Sequence, residues 1–243
     1  MTRRHGHRAV GVTALLILTL SILVTACRAD ADVSVEVRPD GSGTVLASLT
    51  LDRDAAVRLG DPGRLDTSDL VGRGWQVDPP EQVADGGLRL SIRRPFASPE
   101  ELAVVLDDLT GADGPLGRLD LTVESSQLST SYSFAGTLTS SGDPAAWSDP
   151  DVAAVLGGLP LGRTPEELVA IGADRPETAV LRLRVDLPGG VEESWSVPLT
   201  GGRATEVAVD ADSTVVSPAR VLGLLGVAAL LTGAVVVAFR SRG

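Results

Sequence analysis

The sequence predicts an α+β domain in which a curved antiparallel sheet carries helices packed on one face. Three observations predict it: many short runs alternate apolar and polar residues, two segments begin with helix-capping signals, and Cys27 has no partner thiol. Without disulfides, a domain of this kind depends on its own apolar core. The complete fold prediction adds an N-terminal lipoprotein signal peptide and one C-terminal transmembrane helix.

Residues 1–26 have the layout of a secretory signal peptide, because Arg3, Arg4 and Arg8 precede an uncharged apolar stretch over residues 9–26. Residues 24–27, Val-Thr-Ala-Cys, resemble the bacterial lipobox. We therefore predict cleavage before Cys27 and lipidation of that cysteine. The alternative is a signal anchor with an incidental cysteine.

The C-terminal region predicts a membrane span, since residues 221–239 contain no charge. A helix over this stretch is ~28 Å long at 1.5 Å per residue, close to the thickness of a bilayer core. The domain prediction is accordingly an extracytoplasmic domain over 27–210, a tether over 211–217 and a transmembrane helix over 218–239. The basic tail 240–243 is expected in the cytoplasm and the domain outside the cell membrane.

Alternating runs define the strands of the domain. Residues 33–37 and 45–51 flank Pro39-Asp40-Gly41, which predicts a β-hairpin. Further alternating runs cover 88–92, 119–123, 132–138, 181–187, 195–199 and 207–209. Polar residues fill most of the intervening positions, as in antiparallel sheets with one solvated face.

Two helices are predicted from their first turns. Ser98-Pro99-Glu100-Glu101 and Thr164-Pro165-Glu166-Glu167 both place a hydroxyl at the N-cap, Pro at N1 and Glu at N3. These helices are expected to end near Gly111 and Gly172. Shorter helical turns are expected at 54–59 and 151–156.

Charge excludes one class of partner. The net charge is −11, and every acidic residue lies between Asp30 and Asp212. Six of the 21 arginines lie outside that stretch, so 21 − 6 = 15 positive charges face 32 negative ones within it. A domain this acidic, without a basic run, is unsuited to nucleic acid.

The domain lacks the residues of several catalytic mechanisms. Both histidines, His5 and His7, fall in the predicted signal peptide, which excludes histidine zinc sites and Ser-His-Asp triads from the domain. Asp107-Asp108 and Glu192-Glu193 are expected to be solvated charges. We predict no catalytic residue, metal or cofactor, although a carboxylate pair acting as a glycosidase stays open.

Residues 32–43, Asp-Val-Ser-Val-Glu-Val-Arg-Pro-Asp-Gly-Ser-Gly, follow the lipobox, and residues 185–191, Val-Asp-Leu-Pro-Gly-Gly-Val, precede Trp195. Together with the lipobox and the C-terminal span with its short basic tail, these segments resemble the LppM-type lipoproteins of actinobacteria. The resemblance implies an α+β ectodomain with an apolar cavity that binds lipids or glycolipids of the cell envelope.

The scarce aromatic residues are natural lining for such a cavity. The candidates are Trp75, Phe96, Tyr132, Phe134 and Trp195. The alternative is that each of them fills the core.

Three functions of different classes follow. A non-catalytic, lipid-binding surface lipoprotein is favoured, with the membrane and a lipid or glycolipid as partners. A membrane-tethered interaction or scaffold module is the alternative, and an enzyme comes third.

Overall fold

The structure is a computed structural model that describes residues 29–64, 67–110, 114–116, 118–142, 165–174 and 179–216. The predicted lipidation site Cys27, the signal peptide, the helical turn at 151–156, the span 218–239 and the tail 240–243 lie outside these residues. No helix within the described ranges is both long and apolar enough to cross a membrane.

The described residues form ten strands and a few short helices. The strands are β1 (Ala29–Val37), β2 (Gly43–Leu51), β3 (Gln76–Val77), β4 (Glu81–Gln82), β5 (Leu88–Phe96), β6 (Leu119–Ser125), β7 (Ser129–Ser140), β8 (Ala179–Leu187), β9 (Val191–Pro198) and β10 (Thr205–Val216). The helices are α1 (Arg53–Leu59), α2 (Ser68–Gly72), α3 (Pro99–Thr110) and α4 (Pro165–Asp174), with a 3₁₀ turn at Pro62–Arg64.

The strands make two sheets. The larger sheet has the order β3-β5-β2-β1-β8-β9, with β4 also paired to β5, and the smaller sheet has the order β10-β7-β6. The pairing of β1 with β8 is parallel, with Val33 opposite Leu183 and Val35 opposite Val185. All other pairings among the described strands are antiparallel.

The predicted fold class was therefore wrong. The described part of the chain is mostly β-structure, with two sheets instead of one curved sheet, and the larger sheet is mixed. The physical reason is that alternation specifies which face of a strand is buried. It specifies neither the partner strand nor its direction.

The core lies between the two sheets. One apolar cluster joins buried residues of both inner faces, including Val35 and Leu183 from the larger sheet and Phe134 from the smaller one. Helix α3 packs between β6 and β5, while β9 packs near β10 on the other side. Helix α3 therefore bridges the two sheets at one side of the core, contrary to the predicted packing on a sheet face.

The predicted hairpin is confirmed. Strands β1 and β2 pair antiparallel up to Val37 and Gly43, and the Arg38 N–H donates to the Ser42 carbonyl over 2.8 Å. The Asp40 carboxylate accepts bonds from the Ser42 backbone N–H and hydroxyl, and these bonds hold the pKa of Asp40 below its usual value. The Asp-Gly-Ser-Gly segment thus forms a turn, as its sequence indicates.

The predicted cap of α3 is also confirmed. The Ser98 hydroxyl accepts from the Glu101 N–H, and the Glu101 carboxylate accepts from the Ala97 N–H over 2.7 Å. Acidic side chains in this first turn are also favourable for the helix dipole. Helix α1 is capped in the same way by Asp52, which accepts from the Ala55 N–H. Thr164, the predicted cap of α4, lies outside the described residues.

Strand β10 corrects the predicted end of the domain. It continues to Val216 and pairs with β7 along its whole length, so most of the segment predicted as a tether over 211–217 is strand. Its inward positions Ala211 and Ser213 are buried. The alternation that begins at Val207 thus extends through residues whose polarity indicated a linker.

Candidate functional site

The five aromatic residues predicted to line a cavity contribute to one core cluster. Trp75, Phe96, Tyr132 and Phe134 are at most 2% exposed, and Trp195 packs against the cluster from a partly buried position. The Tyr132 hydroxyl donates to the Pro39 carbonyl over 2.7 Å and so ties β7 to the β1–β2 turn. The structure places these side chains together in the core, and their contact with a ligand stays a prediction.

A strip of half-buried apolar residues lies on the inner face of the larger sheet. We call it the apolar strip, and it consists of Ala31, Ala47, Leu49, Leu90 and Ile92. Three strands supply it, because Leu49 lies opposite both Ala31 and Leu90, and Ala47 lies opposite Ile92. These residues form one continuous patch of sheet.

The sheet on either side of the strip is fully buried. At one end, Leu51 and Leu88 pack with Ala55 and Leu59 of helix α1. At the other end, Val45 and Phe96 belong to the main core cluster, which includes residues of α3. The apolar strip is therefore the section of the inner face between α1 and α3 where solvent still reaches the side chains.

A polar cluster adjoins the α3 end of the strip. Arg94 is two residues beyond Ile92 on β5 and so faces the same side of the sheet. Its Nη1 donates to the Asp108 carboxylate over 2.8 Å, and both side chains are less than a fifth exposed. Arg73 Nη1 donates to the other oxygen of Asp108 over 2.9 Å, and Trp75 Nε1 donates over 3.1 Å.

Asp108 is consequently held as a carboxylate. Burial alone would raise the pKa of Asp108. Hydrogen bonds from Trp75 and Arg73 and the charges of Arg73 and Arg94 lower the pKa by more than burial raises it. The net effect is a pKa below the ordinary value of the group. Two guanidinium groups thus share one carboxylate, which leaves one positive charge in excess at this cluster.

Sequence reasoning missed this cluster. It treated Asp108 as a solvated charge, whereas the side chain is mostly buried beside Trp75. A usable signal was present in β5, where the inward alternation Leu88, Leu90, Ile92 continues through Arg94 to Phe96. An arginine at an inward strand position indicates a partner inside the protein.

A concave feature lies on the outer face of the smaller sheet. It is a polar groove of about 480 Å³, lined by Thr122, Glu124, Ser131, Tyr132, Ser133, Asp212, Ser213 and Thr214. The Ser131 and Thr214 hydroxyls lie 3.1 Å apart across the β7–β10 pair. Glu124 and Asp212 make the groove acidic. In the part of the chain that the structure describes, no group of three or more His, Cys, Asp or Glu residues is arranged to hold a metal ion.

No protein-family model matches the chain, and no curated protein matches it. Among solved structures, the chain is similar to the folded domain of LppM from Mycobacterium tuberculosis, determined by NMR. The match covers 80% of this chain and 93% of the LppM domain, at 12% identity and a TM-score of 0.36. A superposition this loose assigns neither a family nor a function to the chain.

Proposed function

We propose that this protein is an extracytoplasmic lipoprotein, anchored through an acylated Cys27, whose β-domain binds the acyl chain of an envelope lipid on the apolar strip. The observation that carries the proposal is the partial exposure of the strip. Its same-strand neighbours Val45, Leu51 and Leu88 are at most 9% exposed, so the inner faces of β2 and β5 are covered at their ends and incompletely covered along the strip.

The chemistry of the strip suits an acyl chain. Its five side chains are aliphatic, and the paired positions on β1, β2 and β5 lie one strand spacing apart, about 4.8 Å. Each buried methylene of a ligand gains about 0.8 kcal/mol from leaving water. A few methylenes on the strip would therefore support binding of an acyl chain.

The signal sequence supports the location. A lipobox-like Val-Thr-Ala-Cys after an apolar stretch directs acylation of Cys27 at the outer surface of the cytoplasmic membrane. β1 begins at Ala29, two residues after Cys27. An anchor at that position keeps the domain close to the lipids that it is proposed to bind.

The polar groove favours a second candidate function, a membrane-tethered interaction module of the cell envelope. Ser131, Ser133 and Thr214 offer hydroxyls, and Glu124 and Asp212 offer carboxylates, on an exposed sheet face. A polar protein partner could form hydrogen bonds there. This candidate needs no apolar ligand, so a lipid-binding experiment separates the two functions.

The test is uptake of N-phenyl-1-naphthylamine, an uncharged probe whose fluorescence rises in apolar sites. Leu90→Gln should weaken the binding, because it places an amide on the strip. Leu46→Gln is the matched control, since Leu46 lies on the outer face of the same sheet and is already 41% exposed. Equal uptake by the wild type and both variants would remove the strip as the lipid site and favour the interaction module.

A further inference from the structure

We infer that the ligand of the apolar strip is an anionic amphiphile whose carboxylate or phosphate headgroup binds Arg94 and Arg73 while its chain lies on Ile92 and Leu90. The inference rests on the proposed function and adds the class of headgroup. It is carried by the juxtaposition of an apolar surface and a positive charge in excess, on one face of one strand.

Arg94 follows the apolar strip on β5. Its Cα is two residues from that of Ile92 on β5, a separation of about 6.6–7 Å, and both side chains face the inner side of the sheet. An amphiphile with its chain on Ile92 therefore brings its headgroup within reach of the guanidinium. Arg93, the residue between them, faces the outer side and donates to Asp78.

Arg94 has more N–H donors than side-chain hydrogen bonds to the described residues. A guanidinium carries five N–H donors. Among the described residues, the hydrogen bond that Arg94 makes is the one from Nη1 to Asp108. Its side chain is 18% exposed, so its other donors are partly withdrawn from water while part of the side chain still meets solvent.

The polar cluster contains more positive than negative charge. Arg73 and Arg94 both pair with Asp108, and within the described part of the chain neither has another ionic partner. Asp108 already accepts from three donors, including Trp75 Nε1. The cluster thus holds one uncompensated positive charge, although the domain as a whole is acidic.

An anionic headgroup suits a guanidinium. Carboxylate and phosphate oxygens accept paired hydrogen bonds from a planar guanidinium. A neutral hydroxyl accepts weaker bonds and leaves the charge uncompensated. A charge-assisted hydrogen bond is expected to favour the anionic headgroup by about tenfold over a hydroxyl.

The experiment uses the full chain in phosphatidylcholine nanodiscs at pH 8. Three 16-carbon probes carry the same photoreactive diazirine on the chain and differ in the headgroup: carboxylate, phosphate monoester or hydroxyl. Labelling of Leu49, Leu90 and Ile92 is quantified by peptide mass spectrometry and normalised to the amount of probe in the nanodiscs. The wild type should label about tenfold more with at least one anionic probe than with the alcohol. The stronger of the two anionic probes identifies a fatty acid or a phospholipid-type ligand.

Arg94→Gln should bring the ratio of anionic to neutral labelling close to one, with the larger loss in labelling by the anionic probes. Arg93→Gln removes the same charge from the opposite face of β5 and should keep the wild-type ratio. If Arg94→Gln fails to fold by circular dichroism, Arg73→Gln replaces it, because Arg73 is 51% exposed and its loss should still lower the ratio.

Two outcomes separate this inference from the proposed function. Equal labelling of the strip by all three probes in the wild type would overturn the anionic headgroup and leave acyl-chain binding intact. Absence of labelling on the strip by any probe, the alcohol included, would overturn acyl-chain binding and the headgroup site together.

Discussion

Arg93 and Arg94 are consecutive residues of β5 whose side chains make ion pairs on opposite faces of the larger sheet. Arg93 pairs with Asp78 over 2.8 Å with half of its side chain exposed, and Arg94 pairs with Asp108 over 2.8 Å with 18% exposed. The two pairs have the same length and different surroundings. Burial therefore decides how much each ion pair contributes to the stability of the fold.

The first prediction compares the stability of the two arginine variants. Arg94→Gln leaves the mostly buried Asp108 with one charged donor fewer and should lower the free energy of unfolding by about 1–3 kcal/mol. Arg93→Gln breaks a largely solvated pair and should change it by less than about 1 kcal/mol. Thermal unfolding followed by circular dichroism measures both, and equal melting temperatures would contradict the assigned burial of Arg94.

The second prediction concerns the loss of stability at acidic pH. The pKa of Asp108 is lowered in the folded protein, so the folded state binds fewer protons than the unfolded state, whose ordinary value is 3.8. The stability from this group is present above about pH 4 and is lost as the pH falls through the lower, folded pKa. Asp108→Asn should flatten the loss of melting temperature below pH 4. If the melting temperature of this variant falls below pH 4 as steeply as that of the wild type, other carboxylates dominate the sensitivity to acid.

The position of Arg94 also shows how far the sequence predicts the site. Period-2 alternation correctly identifies the inward residues of β5, from Leu88 to Phe96, and the capping motif correctly places the start of α3. The contact between Arg94 and Asp108 depends on how α3 packs beside β5. That packing is a tertiary arrangement, which local patterns do not encode.

The pairing of β1 with β8 could not be predicted from the sequence, for a related reason. The two strands are separated by more than 140 residues, and both bury alternate aliphatic residues. The same pattern suits a parallel or an antiparallel neighbour when one face is buried. The β1–β2 hairpin was predictable because its turn lies in the five residues between the two strands.

The third prediction contrasts two glycines. At Gly43, the first residue of β2, a Cβ would overlap the Glu36 carbonyl oxygen and the Phe96 ring. At Gly190, φ is +80° and a Cβ would have open space. Gly190→Ala should therefore cost only the backbone strain, about 1–2 kcal/mol, and Gly43→Ala should cost more because β1 and β5 must move apart. A smaller loss of stability in Gly43→Ala would contradict the close packing of the hairpin end.

The fourth prediction tests the bond between Tyr132 and the hairpin turn. Tyr132→Phe keeps the buried ring and removes the donor to the Pro39 carbonyl. The free energy of unfolding should fall by about 0.5–1.5 kcal/mol. Uptake of N-phenyl-1-naphthylamine should not change, because the hydroxyl is bonded to the turn and the strip lies on β1, β2 and β5. Altered uptake would place Tyr132 at the ligand site, as the aromatic-cavity hypothesis expects.

The last prediction concerns the anchor. Cys27 is the only cysteine of the chain, so covalent attachment of a fatty acid through sulfur has one possible position. Cells fed an alkyne analogue of palmitate should label the wild type and fail to label Cys27→Ala. The variant should also keep its signal peptide, because lipoprotein processing follows acylation of the cysteine, and it should migrate as a larger species. Ser21→Ala is a control within the same N-terminal segment, and both its labelling and its size should match the wild type. Labelling of Cys27→Ala at the wild-type level would show that the lipobox interpretation of residues 24–27 is wrong.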